Sequence, residues 1–236
     1  MSRAVFLHGF GADCLSWVGS VSALAGVTCI TPDLPGHGTA LDAINDGSME
    51  DLATGVLSAL PDSDPAWLVG HSLGGGVALW LAAHHPERWK GLILLAPLGL
   101  GKSVAFDLLD AYPRIEDKPA MQDFLESLVY DKSLIKGEFS RYALDQLNED
   151  GGREALTKVA TALRQGAETV QSLLPQIKAT GLDISVFWGM ADKVVTADPA
   201  RIREVGRFFE MPKIGHIVHV EAMKEVNHFL KDKITT

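Results

Sequence analysis

Ten residues, Trp67-Leu68-Val69-Gly70-His71-Ser72-Leu73-Gly74-Gly75-Gly76, set an apolar run directly before a glycine-flanked serine and an Ala/Leu-rich helical pattern directly after it. The order is strand, sharp turn, helix, and G-x-S-x-G in that setting is the pattern of a nucleophile elbow, with the serine hydroxyl exposed above a sheet. Gly70 and Gly74 flank Ser72 where strand and helix crowd the turn, so a Cβ at either position is expected to clash. Ser72 then opens the following helix, whose unpaired N–H groups and dipole favour negative charge on a reacting oxygen. Alone, the five-residue pattern also fits a glycine-rich turn that holds a serine for no chemical reason. Its company narrows the choice, because a glycine-rich loop precedes it and an acid and a histidine follow in the order Ser, Asp, His.

The rest of the chain alternates strand and helix patterns around this stretch. Residues 3–7 are an uninterrupted apolar run ending at His8-Gly9-Phe10-Gly11, which predicts a buried parallel strand. Residues 15–24 carry helical spacing, and residues 27–30 predict a second buried strand leading into the turn cluster Asp33-Leu34-Pro35-Gly36-His37-Gly38. Asp33 and His37 are expected to fix that loop by local hydrogen bonds rather than to react. Residues 49–60 predict an amphipathic helix closed by Pro61, and residues 91–96 an apolar strand. Later, residues 184–188, 199–205, 207–211 and 222–231 predict strand, helix, strand and terminal helix. Such alternation implies parallel strands joined by right-handed crossovers, with helices on both faces.

Between about residues 99 and 175 the alternation stops. Residues 103–112, 119–130, 133–148 and 153–174 all show helical periodicity, and no strand is evident. This predicts a helical cap at 99–175 inserted into a core made of residues 1–98 and 176–236. Its large apolar residues, among them Phe106, Leu109, Phe124, Leu128 and Phe139, are expected to pack first of all, with a minority lining a pocket.

Composition closes off several function classes. The chain has 236 residues, 47% hydrophobic and 22% charged, enough for one sizeable core. A net charge of −9 argues against nucleic acid or an anionic membrane as partner, since polyanions need a basic face. Residues 1–8 hold too short an apolar core for a signal peptide, and no later run reaches spanning length, so a cytoplasmic protein is expected. Cys14 and Cys29 lack paired spacing and are expected to be buried, structural residues. The histidines at 8, 37, 71, 84 and 85 have no ligand spacing, and no dinucleotide fingerprint or phosphate loop follows the first strand, so no metal and no cofactor are expected.

Taken together, HGFG, DLPGHG, GHSLGG, WGMADKVV and IGHIVHVE stand in the order found in α/β-hydrolases, and the chain resembles that family over nearly its whole length. The HGFGAD start and the GHIVHVEAMKEVN ending further resemble the hydrolase-fold portion of acetoin dehydrogenase dihydrolipoamide acetyltransferases. No lipoyl-bearing segment occurs in these residues, so lipoyl-linked acyl transfer is not carried over. Family members usually have two antiparallel strands before the HG loop; here the chain opens on the strand ending at His8, and the sheet should be shorter at that edge. The resemblance implies an α/β fold with a mostly parallel twisted sheet.

It also implies a site. Ser72 would be the nucleophile, Asp192 in the WGxxD pattern the acid and His216 the base, with the backbone N–H groups of Phe10 and Leu73 as an oxyanion hole. Asp198 is a rival acid, but with Pro199 after it, it reads as a helix N-cap. Asp183 precedes its strand and so lies at the wrong end of the sheet. His219 and His228 are expected to be structural or surface residues. The implied reaction is hydrolysis of a small, mainly apolar carboxylic ester or related acyl compound, a small-molecule substrate. Carbon–carbon bond hydrolysis or a lyase step would use the same residues, and a non-catalytic ligand receptor is the third class. Substrate identity and oligomeric state are not encoded in these patterns.

Overall fold

The structure is a computed structural model that describes residues 2–61, 64–166 and 168–235. Eight strands are present among them: β1 Arg3–Leu7, β2 Thr28–Ile30, β3 Ala66–His71, β4 Trp89–Leu95, β5 Gly101–Val104, β6 Asp183–Gly189, β7 Val195–Ala197 and β8 Arg207–Met211. Six of them form a wholly parallel sheet in the order β2-β1-β3-β4-β6-β8. β2 is one edge of this sheet. As an edge strand it is only half-buried, with Thr28 exposed, which corrects the expectation of a second buried strand. Cys14 and Cys29 are likewise half-buried rather than buried.

From β1 the chain steps outward to β2 on one side and, by way of β3, β4 and β6, to β8 on the other. The reversal falls between β1 and β3, which are paired through Leu7 opposite Gly70. In open parallel sheets the crevice at the carboxyl ends of such strands is where ligands bind. The loops at 8–13 and the turn at Ser72 leave from those two ends.

Every residue of β3 is buried, and ten residues of the Leu73–His84 helix behind it are buried too. That helix is apolar on all sides because Met49–Ala59 and Leu174–Ala179 cover what the sheet does not. On the other face the Met223–Ile234 helix packs Phe229 against Phe187 of β6 and Phe209 of β8. Each such buried side chain contributes roughly 1.5–3 kcal/mol relative to exposure.

Between β4 and β6 the described residues are largely helical: Phe106–Ala111, Lys118–Ser127, Gly137–Leu147, Gly152–Gln165, Thr169–Ser172 and Leu174–Ala179. Three expectations need correction here. β5 is a strand, paired antiparallel with β7, where the sequence showed none. The helix expected over 153–174 breaks into three pieces, the first ending at Gln165 with Gly166 as its cap, and Pro175 stands in the first turn of the Leu174–Ala179 helix, where its missing N–H costs nothing. At the other end of the chain, residues 15–24 form a 3₁₀ turn, Cys14–Trp17, and a single α-turn, Val18–Val21, rather than one helix.

Candidate active site

Ser72 occupies a backbone conformation that L-residues avoid, with φ 50° and ψ −114°. Such a conformation costs on the order of 1–3 kcal/mol and persists only where the surroundings over-determine it. Here they do: its N–H donates to Leu95 O at 3.0 Å, and its carbonyl accepts from Leu98 N at 2.8 Å and Gly76 N at 3.1 Å. The flanking glycines are required by close approach. A Cβ on Gly70 would lie 2.6 Å from Gly74 O, and one on Gly74 would collide with Leu7 O.

The serine hydroxyl meets His216, which arrives on the loop after β8, with Oγ to Nε2 at 2.9 Å. On the far side of the ring, Nδ1 lies 2.8 Å from Oδ2 of Asp192, on the loop after β6. A carboxylate only accepts, so Nδ1 carries the proton and Nε2 is the free acceptor for the serine O–H. Asp192 is held in turn by its other oxygen, which accepts the N–H groups of Val194 at 2.8 Å and Val195 at 3.0 Å. Both side chains are nearly closed to solvent, 6% for His216 and 1% for Asp192. An imidazole held in this way can take a proton from the hydroxyl and carry the charge against the carboxylate.

Phe10 and Leu73 face the same cavity as Ser72. Among the described residues no acceptor is paired with either N–H; Leu73 stands at the first position of its helix, where N–H groups have no intrahelical partner. The structure thus brings Ser72, Asp192, His216, Phe10 and Leu73 to one place. Asp198 is elsewhere, capping its helix through Arg201 N at 3.2 Å. Asp183 opens β6 and pairs with Arg207 and Lys233. His37 donates Nδ1–H to Pro35 O, and Asp33 accepts from Thr39 N and the Thr39 hydroxyl, the local bracing expected of them; Asp33 also accepts from Cys14 N in the loop after β1. His228 is on the surface.

His71 packs against the His216 ring, with centroids 4.9 Å apart, and His219, expected to be structural or on the surface, is buried behind His71. His71 donates Nε2–H to the carbonyl of His216 at 2.9 Å. His219 stands edge-on to His71 at 4.7 Å and stacks on Trp17 at 4.6 Å. Burial first, and then the charge of His219 and His216, holds the His71 imidazole well below the usual histidine range. Burial, and then His216, pushes His219 down to about 3. Both are therefore neutral near the His216 ring. Among the described residues no three His, Cys, Asp or Glu side chains converge as a metal-ligand set.

The cavity above Ser72 has a volume of about 620 Å³, within the range of small-molecule sites. Leu109, Phe124, Leu128 and Phe139 line it, so most of the large apolar residues singled out between 99 and 175 face the cavity, and of the five only Phe106 does not. Asp13 and Glu138 supply its carboxylates, and among the described residues no Lys or Arg lines it.

Strand order, elbow and cavity together define an α/β hydrolase. The chain matches the alpha/beta hydrolase family over residues 4–229 and belongs to it. It is 32% identical over 229 residues to the dihydrolipoyllysine-residue acetyltransferase component of the acetoin cleaving system of Pseudomonas putida, covering 94% of this chain and 60% of that protein. The chain therefore spans about 60% of the length of that relative. It is 30% identical to the 2-hydroxy-6-oxononadienedioate/2-hydroxy-6-oxononatrienedioate hydrolase of Paraburkholderia phymatum, over 97% of this chain and 85% of the relative. Among solved structures it superposes on the meta-cleavage product hydrolase of Pseudomonas fluorescens IP01 with a TM-score of 0.86 at 22% identity, covering 98% of this chain and 90% of that one. Among the described residues no helix is long and apolar enough to cross a membrane.

Proposed function

We propose that this hydrolase cleaves a neutral, mainly apolar carboxylic ester or related acyl compound through an acyl-enzyme on Ser72. His216 takes the hydroxyl proton as Oγ bonds to the carbonyl carbon. The resulting oxyanion accepts the N–H groups of Phe10 and Leu73. His216 returns the proton to the leaving oxygen as that bond breaks, and then activates water to release the acid. Asp192 keeps the imidazole in the required tautomer and offsets its charge. Residues 99–175 act as the cap that shapes the cavity, and the core comprises 1–98 and 176–236.

The observation that carries this reading is the continuous line from Asp192 through His216 to Ser72, 2.8 and 2.9 Å, opening into an apolar cavity with no Lys or Arg among its described wall residues. The absence of Lys and Arg from the described wall bears on substrate charge. The relatives named for dienedioates act, by their names, on carboxylate-bearing compounds, and burying an unpaired carboxylate here would be strongly unfavourable.

Carbon–carbon bond hydrolysis is the second reading, favoured by the names of the relatives at about 30% identity. A matched panel separates the two: neutral esters, the same esters ending in a carboxylate, and a 2-hydroxy-6-oxo-dienoate, each with the native enzyme and Ser72→Ala. The ester reading requires faster turnover of neutral esters, lost in Ser72→Ala, and an acyl adduct on Ser72 in quenched samples. A dienoate turned over with higher kcat/KM than every ester replaces it with the second reading.

A further inference from the structure

We propose that Glu221 is a positioning residue for His216, tying the loop that carries the histidine to the turn that walls the cavity; this rests on the catalytic reading above. Its two carboxylate oxygens face opposite ways. Oε1 accepts the N–H of Gly215, the residue before His216, at 2.7 Å. Oε2 accepts the N–H groups of Tyr130 at 2.7 Å and Asp131 at 3.1 Å, in the turn after the Lys118–Ser127 helix. The same turn is bound directly as well, because His216 N–H donates to Leu128 O at 2.7 Å. His71 secures the remaining polar group of that backbone, the His216 carbonyl.

Each backbone bond on this loop therefore fixes where the imidazole begins. Gly215 is a glycine because the two segments touch: a Cβ there would stand 2.6 Å from Leu128 O and 2.8 Å from Tyr130 N. Leu125 and Leu128, on the other side of the turn, line the cavity. A side chain that shifts those leucines pulls on the two amides held by Glu221 and, through the same carboxylate, on the peptide that carries the base. Glu221 touches neither substrate nor the reacting atoms, so its whole effect passes through the placement of His216.

Glu221→Gln keeps the shape but turns an amide NH₂ toward N–H donors on one side of the junction, which breaks that side. Misplacement of a reacting group by about 1 Å costs on the order of a hundredfold, so kcat should fall about ten- to a hundredfold with KM for a short neutral ester little changed, and Ser72 labelling by a fluorophosphonate should slow in step. Melting curves establish that the variant is folded at the assay temperature. Should it not fold, amide exchange in the native protein gives the second readout: Gly215, Tyr130 and Asp131 should be protected together, and rates typical of a free turn at Tyr130 and Asp131 overturn the proposal. A folded Glu221→Gln with kcat within twofold of native, beside an inactive His216→Ala, also overturns it while leaving the catalytic reading intact. An active His216→Ala would remove the base assignment and this proposal with it.

Discussion

Tyr142 donates its hydroxyl to the Oδ2 of Asp13, a carboxylate 129 residues earlier in the chain. Asp13 belongs to the loop after β1, three residues beyond Phe10, and its other oxygen accepts Leu15 N–H at 2.8 Å. The Gly137–Leu147 helix therefore leans, through one hydroxyl, on the loop that presents a proposed oxyanion donor. Hydrogen bonds to charged groups are worth about 1.5–3 kcal/mol, and Tyr142 is 41% exposed, so the value here should lie nearer 1 kcal/mol. Tyr142→Phe should lower Tm by about 2–4 °C, read by calorimetry. An unchanged Tm would show that ring packing alone holds the helix.

The two candidate acids can be separated by activity alone. Ser72→Ala and His216→Ala should each lose on the order of 10⁶ in kcat, and Asp192→Ala roughly 10⁴, because the three act as a unit. Asp198→Ala removes only a helix cap, costing about 1 kcal/mol of stability, and should keep turnover within a few-fold. Steady-state kinetics on any accepted ester, with Asp198→Ala inactive and Asp192→Ala mild, would reverse the assignment.

Buried neutral histidines predict a specific sensitivity to acid. Burial holds His37 and His219 at about 3 in the folded state, with His8 and then the charge of His216, respectively, adding to it, against about 6.5 unfolded. Above pH 6.5 both states leave these rings neutral, and their contribution to stability is fully present. As pH falls from 6.5 toward 3 only the unfolded chain takes up the protons, so stability is lost at about 1.4 kcal/mol per pH unit for each ring. Urea titrations between pH 8 and 5 should show the decline beginning near 6.5. His219→Phe, which keeps a ring against Trp17, should flatten the slope by one proton; a slope unchanged in that variant would assign the sensitivity elsewhere.

Cavity shape should govern choice among acyl groups. Phe124 and Phe139 both line the cavity, and one methylene in an apolar pocket is worth about 1–3 kcal/mol. Phe124→Ala and Phe139→Ala should shift relative kcat/KM between short and long acyl chains by roughly ten- to two-hundredfold, while fluorophosphonate labelling of Ser72 stays near the native rate. Identical chain-length rankings in both variants would remove residues 99–175 from the choice of substrate.

Much of this was legible in the chain because its signals are local. The elbow announces itself through Gly70 and Gly74, whose lack of a Cβ is a contact requirement, and the buried strands are plain apolar runs. Asp198 is recognisable as a cap from the proline after it. What escaped the sequence depends on partners far away. β5 has the unremarkable composition Gly-Lys-Ser-Val and is a strand only because β7, some ninety residues later, pairs with it. Glu221 stands five residues after His216, a spacing with no meaning until the turn at 128–131 is folded against it. Phe139 reads as a packing residue from helical periodicity, yet it is 53% exposed and faces the cavity, since periodicity gives a face but not what the face meets.

The parallel order of the sheet has a consequence for the timing of synthesis. Ser72 leaves the ribosome long before Asp192, and His216 follows β8, the last strand among the described residues. Domains fold as units while chains emerge, and parallel pairings of large sequence separation close late. Until β8 docks beside β6, the nascent protein holds Ser72 without the His216 imidazole beside it, and on the catalytic reading proposed above the hydroxyl then stays unreactive. On that reading, labelling of Ser72 by a fluorophosphonate would time the docking of β8 rather than the formation of the elbow.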